Sequence, residues 1–171
     1  TLDRSSAASD VYKRQTISSG IALYLLGADG EGGPEVYTVA TKKDQAKIVW
    51  NDAKKMVNKS PLLKHDFVTK VAEILTPFND GQLIPLGRDS DTTDGLNVHG
   101  AIMDEVHAWK TMQMYDVVFD GISARDNPLI LAITTAGTVR NSVYDIKYEE
   151  TENIINGLWL SLIHISEPTR R

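Results

Sequence analysis

Apolar residues recur along the chain in two patterns, one typical of helices with a buried face and one typical of buried strands. Apolar content and helical spacing predict helices at 17–26, 41–57, 115–122 and 142–156. Runs that are apolar or β-branched throughout predict strands at 35–40, 98–103 and 129–133. Strands that alternate with helices and are apolar on both faces favour an α/β fold with a mainly parallel sheet.

Turn and cap residues indicate where further elements begin. Thr41, with Asp44 three residues later, predicts the start of the second helix through an imperfect capping box. Asn79-Asp80-Gly81 predicts a hairpin turn between two apolar runs within residues 73–86. Ser142 is predicted to cap the last helix.

The composition is that of a globular protein. Of the 171 residues, 42% are hydrophobic and 24% are charged, which is not typical of a disordered chain. No apolar run approaches the roughly 20 residues needed to cross a bilayer, which argues against a transmembrane protein. The absence of cysteine excludes disulfides and Cys-ligated zinc, and His65, His99 and His107 do not have the spacing of metal ligands. Because the net charge is −5, any contact with nucleic acid must come from a local basic patch.

Both ends of the chain resemble translated adapter sequence from transposase-based library preparation. The codons GAT GTG TAT AAG AGA CAG encode Asp10 to Gln15, and their reverse complement, CTG TCT CTT ATA CAC ATC, encodes the six residues Leu160 to Ile165. A match of this kind is very improbable by chance. We therefore expect residues 1–15 and 160–171 to be adapter-derived and residues 16–159 to be an internal piece of a longer protein.

Two adjacent acids follow the predicted strand 98–103. Ligands of open α/β sheets bind beyond the carboxyl ends of the strands, where Asp104 and Glu105 are expected to lie. In a nucleotide hydrolase, one acid at such a strand end serves Mg²⁺ and the second orients or deprotonates the attacking water. The simpler interpretation, which the motif alone favours, is a strand that runs into a solvated acidic turn.

Hydroxyl and basic residues follow two other predicted strands. Thr134 and Thr135 precede an Ala-Gly turn, and small hydroxyl side chains there can hydrogen-bond a phosphate-linked water; the alternative is a threonine-rich strand end. Lys42 and Lys43 lie at the start of a predicted helix, where they can bind a phosphate backbone. Lysines at this position oppose the helix dipole, which modestly favours a functional reason over a solvated helix start.

Taken in this order, the segments resemble the ATPase half of the large subunit of a tailed-phage terminase. The resemblance rests on GIALYLLGADGEGGPEVYTVATKKDQAKIVW, on DGLNVHGAIMDEVHAW and on NPLILAITTAGT followed by Arg140-Asn141-Ser142. It covers residues 16–159 and none of the flanks. It implies a P-loop NTPase fold of the RecA-like, ASCE type, in which a mainly parallel sheet is flanked by helices.

The resemblance also implies roles for the residues at the strand ends. Asp104 and Glu105 would be the Walker B acids, with Asp104 serving Mg²⁺ and Glu105 activating water. Thr134, Thr135 and Gly137 would lie in the coupling motif, which links hydrolysis to the movement of DNA.

One part of the family's pattern is missing. Its phosphate loop should lie just ahead of the helix 17–26, and Thr16 looks like the first residue after that loop, a remnant of the nucleotide-binding segment. The first strand and the phosphate loop are therefore expected to be absent, and the chain alone is expected to be inactive. Lys42, Lys43 and Arg140 are the candidate contacts for DNA or its phosphates.

For the intact parent, the resemblance implies a motor that uses ATP and Mg²⁺ to move double-stranded DNA into a capsid, followed by a nuclease domain. The implied partners are double-stranded DNA, the portal protein, the terminase small subunit and further copies of the chain in a ring, with no membrane. The implied location is the cytoplasm of an infected bacterial host, whether the gene belongs to a phage or a prophage.

Two alternatives remain at this point. The string Asp104-Glu105-Val106-His107 reads DEVH, which also suits a DExH-type helicase, although the VHGAIMDE context and the Ala-Gly-Thr continuation look more like terminase. A non-catalytic interaction module that keeps the fold without hydrolysis is the alternative of a different class.

In a ring, an arginine from one subunit can stabilise the charge on the phosphoryl group that is transferred in the next. Arg88 lies in the polar, glycine-punctuated segment 87–97 and is predicted to supply this guanidinium. Arg125 and Arg140 are its rivals. The competing interpretation is a surface ion pair of Arg88 with a nearby aspartate, which would contribute at most about 1 kcal/mol.

Overall fold

The computed structural model describes residues 2–87, 95–135 and 142–157, and for residues 2–11 it describes the backbone alone. The helices of these residues are α1 (Leu2–Gly27), α2 (Lys43–Lys59), α3 (Leu63–Asp66), α4 (Gln113–Asp120) and α5 (Val143–Ile155). The strands are β1 (Glu35–Ala40), β2 (Val68–Thr69), β3 (Ile74–Thr76), β4 (Gly81–Gly87), β5 (Val98–Met103) and β6 (Leu129–Ala132). None of the described helices is both long enough and apolar enough to cross a membrane.

The described strands form one mixed sheet in the order β2-β3-β4-β1-β5-β6. β1 runs parallel to β4 and to β5, and β6 runs parallel to β5, while β2 and β3 are antiparallel. The register pairs Met103 with Val39 on one side and with Ala132 on the other. The carboxyl ends of β1, β5 and β6 therefore meet at one edge of the sheet, as the sequence predicts for an α/β fold.

Helices cover both faces of the sheet because successive strand residues point to opposite sides. Along β5, Ile102 belongs to the core cluster shared with α1 and α2, whereas Met103 belongs to the cluster shared with α4 and the start of α5. The predicted apolar face of α2 is confirmed, since the five buried residues of this helix are Ala46, Val49, Trp50, Ala53 and Val57.

Gly100 allows α1 to lie directly on β5. A Cβ atom at this position would stand 2.8 Å from Cδ1 of Leu25 and 3.3 Å from Cγ1 of Val36, closer than ordinary packing permits. The sequence predicts a helix at 17–26, and the structure places it within a much longer α1. Its apolar end, from Ile21 to Leu26, is the part that packs into the core.

Two boundary predictions are confirmed and one is wrong. Ser142 and Asp145 form a capping box at α5, and the hairpin turn between β3 and β4 places Asp80 at a φ of 57°. Thr41 does not cap α2: the residue before the helix is Lys42, and no side chain caps it. The Thr41 hydroxyl instead bonds the Gln45 side chain at 2.6 Å, which removes it from the helix amides.

The prediction that every strand is covered on both faces fails at β6. Leu129 is 42% exposed, and no residue of β6 is fully buried. Among the described residues β6 pairs only with β5, at the end of the strand order. The apolar pattern predicted the strand correctly, but not its place at the margin of the sheet.

Candidate functional site at the carboxyl ends of the strands

The backbone of Asp104 is fixed between two neighbouring strands. Its N–H donates to the carbonyl of Val39 at 2.9 Å, and its carbonyl accepts the indole N–H of Trp109 at 3.1 Å. One residue earlier, the carbonyl of Met103 accepts the N–H of Ile133 at 2.7 Å. The end of β5 is therefore held by β1 and β6 together, which fixes the direction in which the following acid points.

The carboxyl group of Asp104 is partly buried, which raises its pKa, and the neighbouring charge of Glu105 raises the pKa further. The backbone N–H of Glu105 donates to Oδ1 of Asp104 at 2.9 Å and acts in the opposite direction. A carboxylate that is desolvated and close to a second acid is stabilised by a cation. Asp104 therefore has the electrostatic surroundings of a cation ligand.

Glu105 has a left-handed backbone, with φ 54° and ψ 44°. A residue with a Cβ pays about 1–2 kcal/mol for this conformation, and such strain is concentrated at functional sites. The carbonyl of Glu105 accepts the N–H of Ala108 at 2.8 Å, which opens a short 3₁₀ turn over Val106–Ala108. After this sharp change of direction, the Glu105 side chain, which is 35% exposed, lies beside the ring of His107.

His107 joins the acidic pair to the end of β6. Its backbone N–H donates to Oγ1 of Thr134 at 3.0 Å, and its Nδ1 lies 3.1 Å from the same oxygen. Nδ1 also lies 3.1 Å from Oε2 of Glu105 and 3.4 Å from Oγ1 of Thr135. The structure thus brings together the residues that the sequence predicts at the ends of β5 and β6.

The predicted nucleotide-binding residue Thr16 lies inside α1 and not at a helix start. Arg14, two residues earlier, donates from Nη1 to the carbonyl of Thr134 at 3.1 Å, and its charge acts to lower the pKa of Asp104 against the larger effect of burial. This part of α1 is therefore close to the acidic pair, and a nucleotide role for Thr16 stays a prediction.

Lys42 borders a groove of about 300 Å³ at the same edge of the sheet. The groove lies between the start of α2 and the segment after the 3₁₀ turn, where Lys110 and Thr111 face it. Trp109 forms part of its wall and is buried. Lys43 begins α2 itself. The groove is thus lined by two exposed lysines, Lys42 and Lys110, and by two threonines, Thr41 and Thr111. Ammonium and hydroxyl groups in this arrangement are suited to binding anionic oxygen atoms.

Three predicted site residues, Arg88, Gly137 and Arg140, lie outside the described residues. The rival arginine, Arg125, lies at the amino ends of the strands, and its side chain is 8% exposed. It donates to Oδ1 of Asn97 and Oε1 of Glu31, each at 2.8 Å, and to the carbonyl of Gly33 at 2.7 Å. With its guanidinium bound in this way, Arg125 is not available to a neighbouring subunit.

Two residues of the site were not singled out from the sequence. Trp109 supports Asp104 through its indole N–H, and His107 contacts both Glu105 and Thr134. The DEVH string contains the signal for His107. Its partner Thr134 is 27 positions away, however, and no local pattern joins the two residues.

The described residues contain no group of three or more histidine, cysteine or acidic side chains that could hold a metal ion by itself. At nucleotide sites Mg²⁺ takes only one or two carboxylates and completes its shell with phosphate oxygens and water. The donor set at Asp104 fits that requirement.

Comparisons with known proteins point to one family. Residues 8–153 match the family model described as terminase large subunit, ATPase domain. The terminase large subunit of Enterobacteria phage HK97 is 32% identical over 123 residues, which is 68% of this chain and 24% of that protein. The protein YmfN of Escherichia coli K12 is 40% identical over 65 residues, which is 37% of this chain and 14% of YmfN. The chain thus spans less than a quarter of either relative.

Solved structures show the same fold. The crystal structure of the HK97 large terminase superimposes with a TM-score of 0.70 at 25% identity, over 79% of this chain and 29% of that one. The large terminase of a thermophilic bacteriophage, determined in complex with ADP, gives a TM-score of 0.51 at 11% identity, over 67% of this chain and 29% of that one. Since the family match extends over most of the residues, the protein belongs to the terminase large subunit family, and the matched part is its ATPase domain.

Proposed function

We propose that the chain is part of the ATPase domain of a viral DNA-packaging motor, and that Glu105 is its general base. The observation that supports this most directly is the end of β5, where Asp104 is partly buried and Glu105, on a strained backbone, lies beside the His107 ring that also contacts Thr134. Such an arrangement keeps two adjacent carboxylates pointing to different targets. One carboxylate is then available to a cation, and the other to the water that attacks the γ-phosphate.

ATP and Mg²⁺ are the substrate and the cofactor of the proposed reaction. Mg²⁺ supplies neutralisation of the charge on the phosphate oxygens. The raised pKa of Asp104 supports its assignment as the residue facing the cation, because a nearby positive charge would relieve both causes of the shift. The ADP complex of the large terminase from a thermophilic bacteriophage supports nucleotide binding by this fold.

Thr134, Thr135 and Gly137 are proposed to form the coupling motif, and Arg88 is proposed to act on the nucleotide of a neighbouring subunit. Thr16 is proposed to be the remnant of the nucleotide-binding segment. The contacts of Thr134 with the residues after Glu105 support the first assignment, since a hydrogen bond from the backbone N–H of His107 to Oγ1 of Thr134 joins the acidic turn to the end of β6.

Double-stranded DNA is the proposed partner of the groove beside α2. Lys42 and Lys110 border it, and their ammonium groups suit phosphate oxygens of the DNA backbone. Lys43 and Arg140 are proposed as further contacts. The portal protein, the terminase small subunit and a ring of identical copies, in the cytoplasm of the bacterial host, complete the proposal.

We also propose that residues 1–15 and 160–171 are adapter-derived and that the full-length protein adds a nuclease domain. The 171-residue chain alone is proposed to be inactive. This is supported by α1, which is helical on both sides of Thr16, so that no loop of backbone N–H groups is available there to hold phosphates.

The test uses a full-length terminase large subunit that contains this ATPase segment. Glu105→Gln keeps the size of the side chain but removes the base, so ATP turnover should fall by roughly 10²- to 10⁴-fold. Binding of ATP, measured by calorimetry, should be retained. The matched control is Glu73→Gln. Glu73 pairs with Lys70 between β2 and β3, at the other side of the sheet from the acidic pair, so this substitution should leave turnover unchanged. Turnover of the Glu105→Gln protein close to that of the wild type would refute the assignment.

A further inference from the structure

His107 is the one histidine of the described residues that contacts the acidic turn and the end of β6 at once. Its side chain is 22% exposed and lies 3.1 Å from both Glu105 Oε2 and Thr134 Oγ1. By contrast, His65 is an exposed residue that pairs with its neighbour Asp66, and His99 is fully buried against Asp29. Only His107 therefore has a position from which it can influence the orientation of Glu105.

The hydrogen bonds around His107 determine which ring nitrogen carries the proton. The Thr134 hydroxyl accepts the backbone N–H of His107 and donates its own proton to the carbonyl of Thr135 at 3.0 Å. Toward Nδ1 this oxygen can only accept, and the carboxylate of Glu105 can also only accept. The arrangement therefore favours the tautomer with the proton on Nδ1, whose N–H is then shared between Glu105 and Thr134.

We propose that His107 is a positioning residue. Its Nδ1–H hydrogen-bonds both the carboxylate of Glu105 and the hydroxyl of Thr134, so that the orientation of the base depends on the position of the end of β6. This inference rests on the proposed role of Glu105 in ATP hydrolysis. In the structure, the carboxylate is held toward β6 by a shared donor. A change at either end of this link is passed to the other end through the imidazole.

The backbone already joins the two segments, and the imidazole adds a separate connection. Val106 donates its N–H to the carbonyl of Ile133 at 3.3 Å, which keeps the turn against β6 without any side chain. Replacing His107 should therefore leave the turn in place while releasing the Glu105 carboxylate. This separation makes the link testable without unfolding the site.

The first experiment needs no enzymatic activity and uses the 171-residue chain. Long-range ¹H–¹⁵N correlation spectra report which imidazole nitrogen is protonated. We expect His107 to be protonated at Nδ1, and we expect Thr134→Val and Glu105→Gln each to change its ring signals. The signals of His65 should be unchanged in both variants. A His107 ring that is protonated at Nε2 and unaffected by Thr134→Val would overturn the proposal.

The second experiment compares three substitutions of His107 in the full-length protein. The side-chain amide of asparagine places an N–H near the position of Nδ1, glutamine places it near Nε2, and alanine supplies none. We expect His107→Ala and His107→Gln to lower kcat by roughly 10- to 100-fold with little change in KM, since a misplaced base acts on the chemical step. His107→Asn should restore most of kcat.

A double-mutant cycle then tests the connection to β6. If His107 acts through Thr134, the combined His107→Ala and Thr134→Val protein should lose no more activity than His107→Ala alone. Wild-type kcat in His107→Ala, or equal defects in the asparagine and glutamine variants, would overturn the proposal. Failure of the underlying function looks different, because Glu105→Gln would then retain turnover while the spectra of the chain still report the hydrogen bond.

Discussion

Charged residues lie at both ends of the parallel strands, but they differ in burial and in hydrogen bonding. At the amino ends, the guanidinium of Arg125 donates to Glu31, Asn97 and the carbonyls of the loop before β1, and its side chain is nearly inaccessible. At the carboxyl ends, the side chain of Glu105 is 35% exposed and its Oε2 lies 3.1 Å from Nδ1 of His107.

The backbones of the two ends differ in the same sense. The loop before β1 adopts left-handed conformations at Gly30 and Gly33, where no Cβ opposes them. The acidic turn adopts one at Glu105, where a Cβ does. At the amino ends, the charge of Arg125 and two glycines thus hold the loop before β1 without backbone strain. At the carboxyl ends, the backbone of Glu105 is strained and its carboxylate is accessible. A paired charge on relaxed backbone indicates a structural role, and an accessible charge on strained backbone indicates a chemical one.

The largest effect on stability is expected from Arg125→Met, which keeps a long side chain but removes the charge. Removing one partner of a fully buried ion pair costs about 3–5 kcal/mol, and because Glu31 is 27% exposed and stays partly solvated, we expect about 2–3 kcal/mol here. The free energy of unfolding, measured in urea, should fall by this amount. Lys55→Met is the control, since Lys55 pairs with Asp52 at the surface and should leave stability close to that of the wild type. Equal effects of the two substitutions would remove the distinction between the two ends.

Smaller changes in the free energy of unfolding, of opposite sign to each other, are expected from substitutions at the left-handed positions 105 and 33. Glu105→Gly should stabilise the chain relative to Glu105→Ala by about 0.5–1 kcal/mol, because glycine relieves the strain but is less ordered when unfolded. Gly33→Ala should destabilise it by about 1–2 kcal/mol through conformation alone, since its Cβ would meet no atom closer than 4.0 Å. Unfolding in urea measures both. If the Glu105→Gly protein were less stable than the Glu105→Ala protein, this would contradict the claim of strain at the acidic turn.

The weakest effect concerns pH and Asp104. Burial and the charge of Glu105 raise the pKa of Asp104 in the folded state, so the folded chain holds this proton more tightly than the unfolded chain does. As the pH rises from the ordinary aspartate value through the raised one, this group therefore lowers the free energy of unfolding, and the loss persists at neutral pH.

Asp104→Asn keeps an acceptor for the N–H of Glu105 and removes the charge. It should be more stable than the wild type at neutral pH, and the gain should disappear as the pH falls below the ordinary aspartate value. Thermal melts across this range, without divalent cations, provide the measurement. A gain that grows on acidification would mean that the pKa shift has the opposite sign.

Much of this structure could be predicted from the sequence because the deciding interactions are local. The buried face of α2 follows from its own spacing, and the capping box at Ser142 and Asp145 needs only three residues of separation. The strand before Asp104 is apolar throughout and was correctly placed in a parallel sheet.

The failures involve interactions that no local pattern contains. Thr41 has a good capping side chain, but Gln45 competes for its hydroxyl. The exposure of β6 depends on what lies beside the strand and not on its own sequence. His107 acquires its significance only when the sheet brings Thr134 beside it. The acids of the site could therefore be predicted, whereas the residue that connects them to the next strand could not.

Gly100 has a further consequence for variation in this domain. It carries no polar atom and lies four residues before Asp104, yet it determines how closely α1 rests on β5. A methyl group at this position would push α1 away from β5. Because a helix is stiff, α1 would tilt as a whole and would not bend only at the point of contact. Tilting α1 would carry the displacement along its axis to Thr16, the proposed remnant of the nucleotide-binding segment, in the part of the helix near the acidic pair. A substitution with no chemistry of its own would thereby change the spacing around the acidic pair, so natural variants at residue 100 should alter turnover more than their size suggests.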